Sequence, residues 1–164
     1  MAFTLQFEVG GDVQLSRELR HISEGVKDFS VPLNLISRDF YEGQRATFEA
    51  EGAAEGKQKW PALSPAYRLW KDQRFPGRPL LVLRGNLSKA ATDPKAPGAK
   101  HEVSKVQFRA GVDIPVNGWN LAALHQFGTR RMPQRKVIQL SEPQKLRWVQ
   151  IFRRWYYELV AGTA

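Results

Sequence analysis

One helix constrains this chain more than any other segment. Ser141-Glu142-Pro143-Gln144 is an S-x-x-Q capping box with proline in the first turn, where its missing N–H costs nothing. The periodicity beyond it predicts a helix to Val160. Leu146, Val149, Phe152, Tyr156 and Leu159 share one face, which the spacing assigns to the subunit's own core. Trp148, Ile151 and Trp155 form a second face, set off by Arg147, Arg153 and Arg154. Two apolar faces need two neighbours, and a 164-residue subunit can hardly hide both. The second face is therefore read as a subunit interface, against the alternative of a helix buried on both sides within one subunit.

Ahead of that helix, Phe3, Leu5, Phe7 and Val9 alternate with polar residues as in a half-buried strand, stopped by Gly10 and Gly11. Asp12 is a candidate cap for a helix with Leu15, Leu19, Ile22, Val26 and Phe29 on one face. Ser30 and Pro32 open a second helix. On it, Leu33, Ile36, Phe40 and Thr47 take one side and Tyr41 and Phe48 another, so it too needs two neighbours. Residues 51–59 lack an apolar period and read as a flexible loop ending at Trp60. Ser64-Pro65 opens a short helix with Tyr67, Leu69 and Trp70, broken by Phe75-Pro76-Gly77. Residues 93–100 read as an exposed hairpin tip or long connection, and Val106, Phe108, Ala110 and Val112 as a strand. Trp119 to Phe127 suits a short helix stopped by Gly128. A basic loop, 129–136, follows.

These elements give an α+β domain spanning residues 1–164: N-terminal helices, a small, mostly antiparallel sheet, and a long C-terminal helix packed against it. No cysteine is present, which removes disulfides, thiolate zinc sites and cysteine nucleophiles and leaves the fold to packing. The start of the chain lacks the basic and apolar regions of a signal peptide, and no stretch approaches the 18 apolar residues of a membrane span, so the expectation is cytoplasmic synthesis without a membrane partner. The net charge of +9 is uneven: residues 1–82 carry 11 Lys and Arg against 11 Asp and Glu, and residues 83–164 carry 14 against 5. That asymmetry fits a polyanion or an acidic protein face, or simply a solvated surface.

Catalytic chemistry finds no constellation here. His21, His101 and His125 stand apart, with no H-E-x-x-H spacing. Gly52-Ala53-Ala54-Glu55-Gly56-Lys57 fails as a phosphate loop because only three residues separate its glycines, Gln58 replaces the magnesium-binding hydroxyl, and no apolar strand precedes it. The expectation is no enzyme, no cofactor and no metal. Basic residues Arg130, Arg131, Arg135 and Lys136 lie near Trp119 and Phe127 in sequence, which is compatible with phosphate contact, but no nucleic-acid-binding signature accompanies them.

Three segments in order resemble the virion morphogenesis family, the tail-completion proteins of Mu-like and related tailed phages. The first is Phe48-Glu49, Gly56 and Trp60-Pro61-Ala62-Leu63-Ser64, similar to that family's "FE…G…W-x-x-L-S". The second, Leu81 to Ser88 with Gly85 and Leu87, resembles "IL-x-x-(S/T)-G-x-L", with Arg84 in place of the Ser or Thr. The third runs from Ala122 through His125, Gln126, Phe127 and Gly128 to Pro133, Arg135 and Ser141. It is similar to "YA-x-x-H-Q-x-G" followed by "P-x-R-x-(F/W)-L-x-(L/I)-S", with Val137-Ile138 replacing the aromatic-leucine pair. The resemblance covers residues 33–160.

It implies a structural virion protein at the head-proximal end of the tail, assembled in the bacterial cytoplasm. The subunit would form a homo-oligomeric ring, commonly a hexamer in such necks, and make the tail competent to join the head. Its expected partners are itself, neighbouring neck and tail proteins and, transiently, genome DNA. A head–tail adaptor or tail terminator is the alternative in the same setting, and a non-specific DNA-binding accessory protein the alternative of another class. Trp60, Leu63, Gly85, Leu87, His125, Gln126, Phe127, Gly128, Pro133 and Arg135 are the expected motif residues; Trp148, Ile151 and Trp155 the expected interface; Arg130, Arg131 and Lys136 the expected basic loop.

Overall fold

The computed structural model describes residues 22–162 together with Arg17 and Arg20. The strand expected over Phe3 to Val9 and the Asp12 cap lie outside the described residues. Residues 22–25 are helical, but the helix ends there instead of reaching Phe29. The chain restarts because Asp28 Oδ1 accepts the Ser30 N–H at 2.9 Å, satisfying a donor that a helix start otherwise leaves orphaned. Helix α1 then runs Ser30–Glu49 and forms the spine.

The next helix, α2, is Pro65–Arg74, and α3 is Asn86–Thr92. Strands β1, Ala99–Val103, and β2, Phe108–Val112, form an antiparallel hairpin with Ala99 opposite Val112 and Val103 opposite Phe108. The two-residue strands β3, Pro115–Val116, and β4, Trp119–Asn120, form a second hairpin. Helix α4 is Leu121–Phe127 and α5 is Glu142–Val160. The α+β reading with a small antiparallel sheet and a long C-terminal helix holds.

The long helix is not packed on the sheet, however. It lies on α1: a methyl group added at Gly43 would stand 2.7 Å from Gln144 Nε2, and at the other end Trp155 meets Phe29 at 5.3 Å between ring centroids. Those two contacts make the helices antiparallel. The other side of α1 carries the β1–β2 hairpin, with Phe40 5.7 Å from Phe108, and α3 packs beside it. Helix α1 thus takes two neighbours, but the stripes do not divide between them: Phe40 and Tyr41, from different stripes, both meet the hairpin, at Phe108 and His101.

Three boundaries shift for local reasons. Val106 is 72% exposed because the hairpin tip falls at residues 104–107, where Ser104 Oγ accepts the Gln107 N–H. Residues 93–98 make the connection, and 99–100 already belong to β1. Trp119 and Asn120 sit in β4; Asn120 caps α4 by accepting the Ala123 N–H at 3.2 Å. Ser141 likewise caps α5 through the Gln144 N–H at 3.1 Å. Only half of the capping box forms, since the Gln144 side chain donates to Asp39 O instead.

Candidate assembly surfaces

The three motif segments, far apart in sequence, meet in one place. Trp60 is buried with Phe48, Leu87, Ala91, Ala122 and Val137. Gly85, at φ +89°, turns the chain into α3 and delivers Leu87 to that cluster. Side chains then lock main chain across the segments. Arg135, only 3% exposed, donates from Nε to Pro61 O and from its second nitrogen to Ala62 O, both at 2.8 Å. Trp60 Nε1 donates to Lys136 O at 2.9 Å. Gln126 brackets Ile138, with Nε2 donating to its carbonyl and Oε1 accepting its N–H. A side chain thereby supplies the paired bonds that a neighbouring strand would give an extended segment.

Gly128 is required here for two reasons: its φ of +71° suits glycine, and a methyl group would stand 2.9 Å from Gln134 N. His125 contributes its carbonyl to Arg135 N at 2.8 Å. Its ring is half-buried, and desolvation, with Arg135 nearby, lowers its pKa below the ordinary value. Only the His125 carbonyl is bonded; the ring Nδ1 is buried with no hydrogen-bond partner among the described residues. Leu63 is half-buried, whereas Phe127 and Pro133 are exposed, so those two do not share the interior role.

The loop at 51–59 is irregular apart from a 3-10 turn over Ala54–Gly56, yet its side chains are tied down. Lys57 Nζ donates to Thr47 Oγ1 at 2.6 Å and to Gln139 O at 3.1 Å. Glu55 accepts from Ser141 Oγ and pairs with Arg147 at 2.8 Å. Arg147 also reaches Asp39 at 2.8 Å, and Trp148 Nε1 donates to the same carboxylate at 2.7 Å. A polar layer therefore joins the loop to α1 and the first turns of α5.

That layer rotates α5 relative to its expected faces. Trp155 is buried at 7% exposure, and Trp148 and Ile151 are half-buried, so they face α1 and are not a free interface. Of the face assigned to the core, Leu159 is buried and Phe152 half-buried beside Phe29. Leu146, Val149 and Tyr156 point outward, and Tyr157 and Val160 extend the stripe; Leu146 is 63% and Tyr157 69% exposed. The physical reason lies in the ends: Asp39 captures the indole N–H of Trp148, and Phe29 meets Trp155, so rotation about the helix axis is set by polar and aromatic partners on α1.

Helix α2 presents another unexpected surface. Its buried residue is Lys71, while Tyr67, Leu69 and Trp70 are exposed. Tyr67 and Trp70 stack at 5.3 Å, and Arg74 lies 5.5 Å from the Trp70 ring centre. Arg130, Arg131 and Lys136 are exposed, as expected of a basic loop, but Arg135 has left it for the interior. The Asn117-Gly118 turn of the second hairpin, at φ +49° and +82°, is a strong hairpin signal, and it places Trp119, expected as the start of a helix, in β4.

Ser37 Oγ lies 2.9 Å from His101 Nε2, a pairing that nucleophilic catalysis would need. Ser37 is 6% exposed, however, and Glu102, next to His101, is paired with Arg109. Among the described residues no cluster of His, Asp or Glu is placed to hold a metal, and no helix is long and apolar enough to cross a membrane. No protein-family model, curated protein or solved structure matches the chain.

Proposed function

We propose that the chain is a structural virion protein of a tailed bacteriophage, a ring-forming subunit of the neck or tail-completion layer that makes the tail competent to join the head. One observation carries this reading: the outward stripe Leu146, Val149, Tyr156, Tyr157 and Val160 on the longest surface helix of the C-terminal half. It extends roughly 21 Å along α5 at 1.5 Å per residue. An apolar strip of that length along one helix favours a protein neighbour. Contact of such a strip with an unlike patch on the next copy closes a ring when the rotation permits. The motif residues support the reading differently, by building the interior that fastens residues 135–138 at the end of the basic loop. Head–tail adaptor or terminator is the same class of assembly role at a neighbouring layer.

Light scattering of the purified chain tests the proposal. The wild type should form discrete oligomers, and Val149→Glu with Tyr156→Glu should give monomers that keep the wild-type far-UV circular dichroism and a cooperative melt. The same double variant should fail to restore joining of tails to filled heads in a mixing assay. A wild type that stays monomeric at assembly concentrations, or variant oligomers of unchanged size, would overturn it. The exposed Arg130, Arg131 and Lys136, which form no ion pair among the described residues, favour a second reading as a DNA-binding accessory protein. Tight duplex binding with a steep salt dependence, lost in Arg130→Glu/Arg131→Glu while joining stays normal, would select that reading.

A further inference from the structure

We infer that the cleft between Trp60 and helix α2 is a binding site for one oxyanion group, a carboxylate or phosphate, held by Lys71, Arg68 and Arg78. This inference stands independently of the neck reading. The cleft encloses about 220 Å³ and is lined by these three cations together with Lys59, Glu51 and Asp72. Lys71 is the informative residue. It is 3% exposed, and its Nζ donates to Pro79 O at 2.5 Å. An ammonium carries three N–H donors, so two are left over on a buried charged group, which is costly unless something accepts them.

Asp72 and Glu51 offset part of the Lys71 charge through space, but neither carboxylate forms a hydrogen bond or ion pair with its Nζ among the described residues. Glu51 is engaged, accepting the Leu80 N–H at 2.9 Å through Oε1 and facing Lys59 at 3.8 Å through Oε2. Asp72 is then opposed by three cations, and neither Arg68 nor Arg78 has an ion pair among the described residues. The remaining excess is positive and lies against the apolar walls of Trp60, Leu63 and Leu80, where a field is less screened than in water. That charge repels metal ions and amines and attracts oxyanions. Guanidinium groups suit carboxylate and phosphate because both accept paired N–H bonds. Size narrows the ligand further: drug-sized molecules occupy roughly 300–1,000 Å³, so this cleft takes a single anionic group.

The site also has a structural consequence. Arg68 and Lys71 belong to α2, and Arg78 to the turn after it, so a bound anion fastens the helix to the turn. Binding to the folded chain alone raises its melting temperature. The group's source is either a free anion or an acidic side chain of a neighbouring chain. Melting of the full chain is followed while inorganic phosphate, or glutarate as a carboxylate probe, is titrated at constant ionic strength against chloride.

A saturable rise with phosphate or glutarate is expected, with none from chloride. Arg68→Gln/Arg78→Gln, at an exposed rim, should keep the fold and weaken binding at least about tenfold. Lys71→Met should abolish binding, and if it does not fold the rim variant still gives the answer. Flat melts, or a rim variant that binds as well as wild type, overturn the site. Where anion binding holds, excess phosphate that dissolves oligomers identifies a neighbour's carboxylate as the occupant, and unaltered oligomers identify a free anion.

Discussion

The knot around Trp60, Arg135 and Gln126 and the outer faces of α2 and α5 are built on opposite plans. In the knot, polar side chains turn inward and bond main-chain atoms of segments distant in sequence: Arg135 to Pro61 and Ala62, Gln126 to Ile138, Trp60 to Lys136. On α2 and α5, apolar side chains turn outward: Leu69 is 66% exposed and Leu146 63%. The residues that look most like a functional motif are therefore the ones that do architectural work. The surface most in need of a partner carries no motif at all. A buried polar group has strict geometric demands and leaves a recognisable pattern of residue types, whereas an apolar contact surface is satisfied by many sequences.

The sharpest test exchanges the two faces of α5. Trp155→Ala should cost about 3–5 kcal/mol of subunit stability, read by urea denaturation, because the ring is packed against Phe29. Val149→Glu or Tyr156→Glu should stay within about 0.5 kcal/mol in the isolated subunit, as surface changes usually do. If Trp155→Ala proved harmless and Val149→Glu unfolded the chain, the assignment of faces would be inverted.

Within the knot, Arg135→Met should destabilise the subunit by about 1–3 kcal/mol, since Pro61 O and Ala62 O lose their donors. Arg135→Lys should not restore that loss, because an ammonium lacks the fork that reaches both carbonyls. Full recovery by lysine, in the same denaturation experiment, would mean that charge and not geometry closes the knot.

Acidification should give the smallest effect, in two steps. Burial, and then the charge of Arg135, hold His125 below its ordinary 6.5. The unfolded chain therefore takes up a proton first, and stability falls as pH drops below 6.5 toward the folded value. Glu55 is held below its ordinary 4.5 chiefly by the Ser141 hydroxyl and also by Arg147, against opposing desolvation. Its contribution is present above 4.5 and is lost as pH falls through the lower folded value. Melting temperature against pH should flatten just under 6.5 in His125→Gln and below 4.5 in Glu55→Gln. A wild-type profile unchanged by either substitution would remove both groups from the linkage.

Periodicity and capping chemistry by themselves determined the α+β class, the need of helix α1 for two neighbours, the start of α5 at Ser141 and a strand over Val106 to Val112, of which Phe108–Val112 is β2. These are local properties: a repeat of 3.6 or 2, and a hydroxyl three residues from an N–H, act whatever the rest of the chain does. Even so, α3 and the Asn117-Gly118 hairpin escaped, the first because Leu87 is its one large apolar residue, which leaves no apolar period.

The tertiary structure alone decided three things. It gave the inner face of α5 to Trp155, although Leu, Val and Tyr on the other face are just as apolar, because Asp39 and Phe29 offered matching partners to Trp148 and Trp155. It took Arg135 out of a run of basic residues and buried it, because two carbonyls 73 and 74 residues away in sequence stood where its fork could meet them. It set Lys71 as the buried residue of α2 and left that helix's aromatics outside. Each outcome depends on a partner supplied by a remote segment, and a contact between remote segments has no period for a sequence to display.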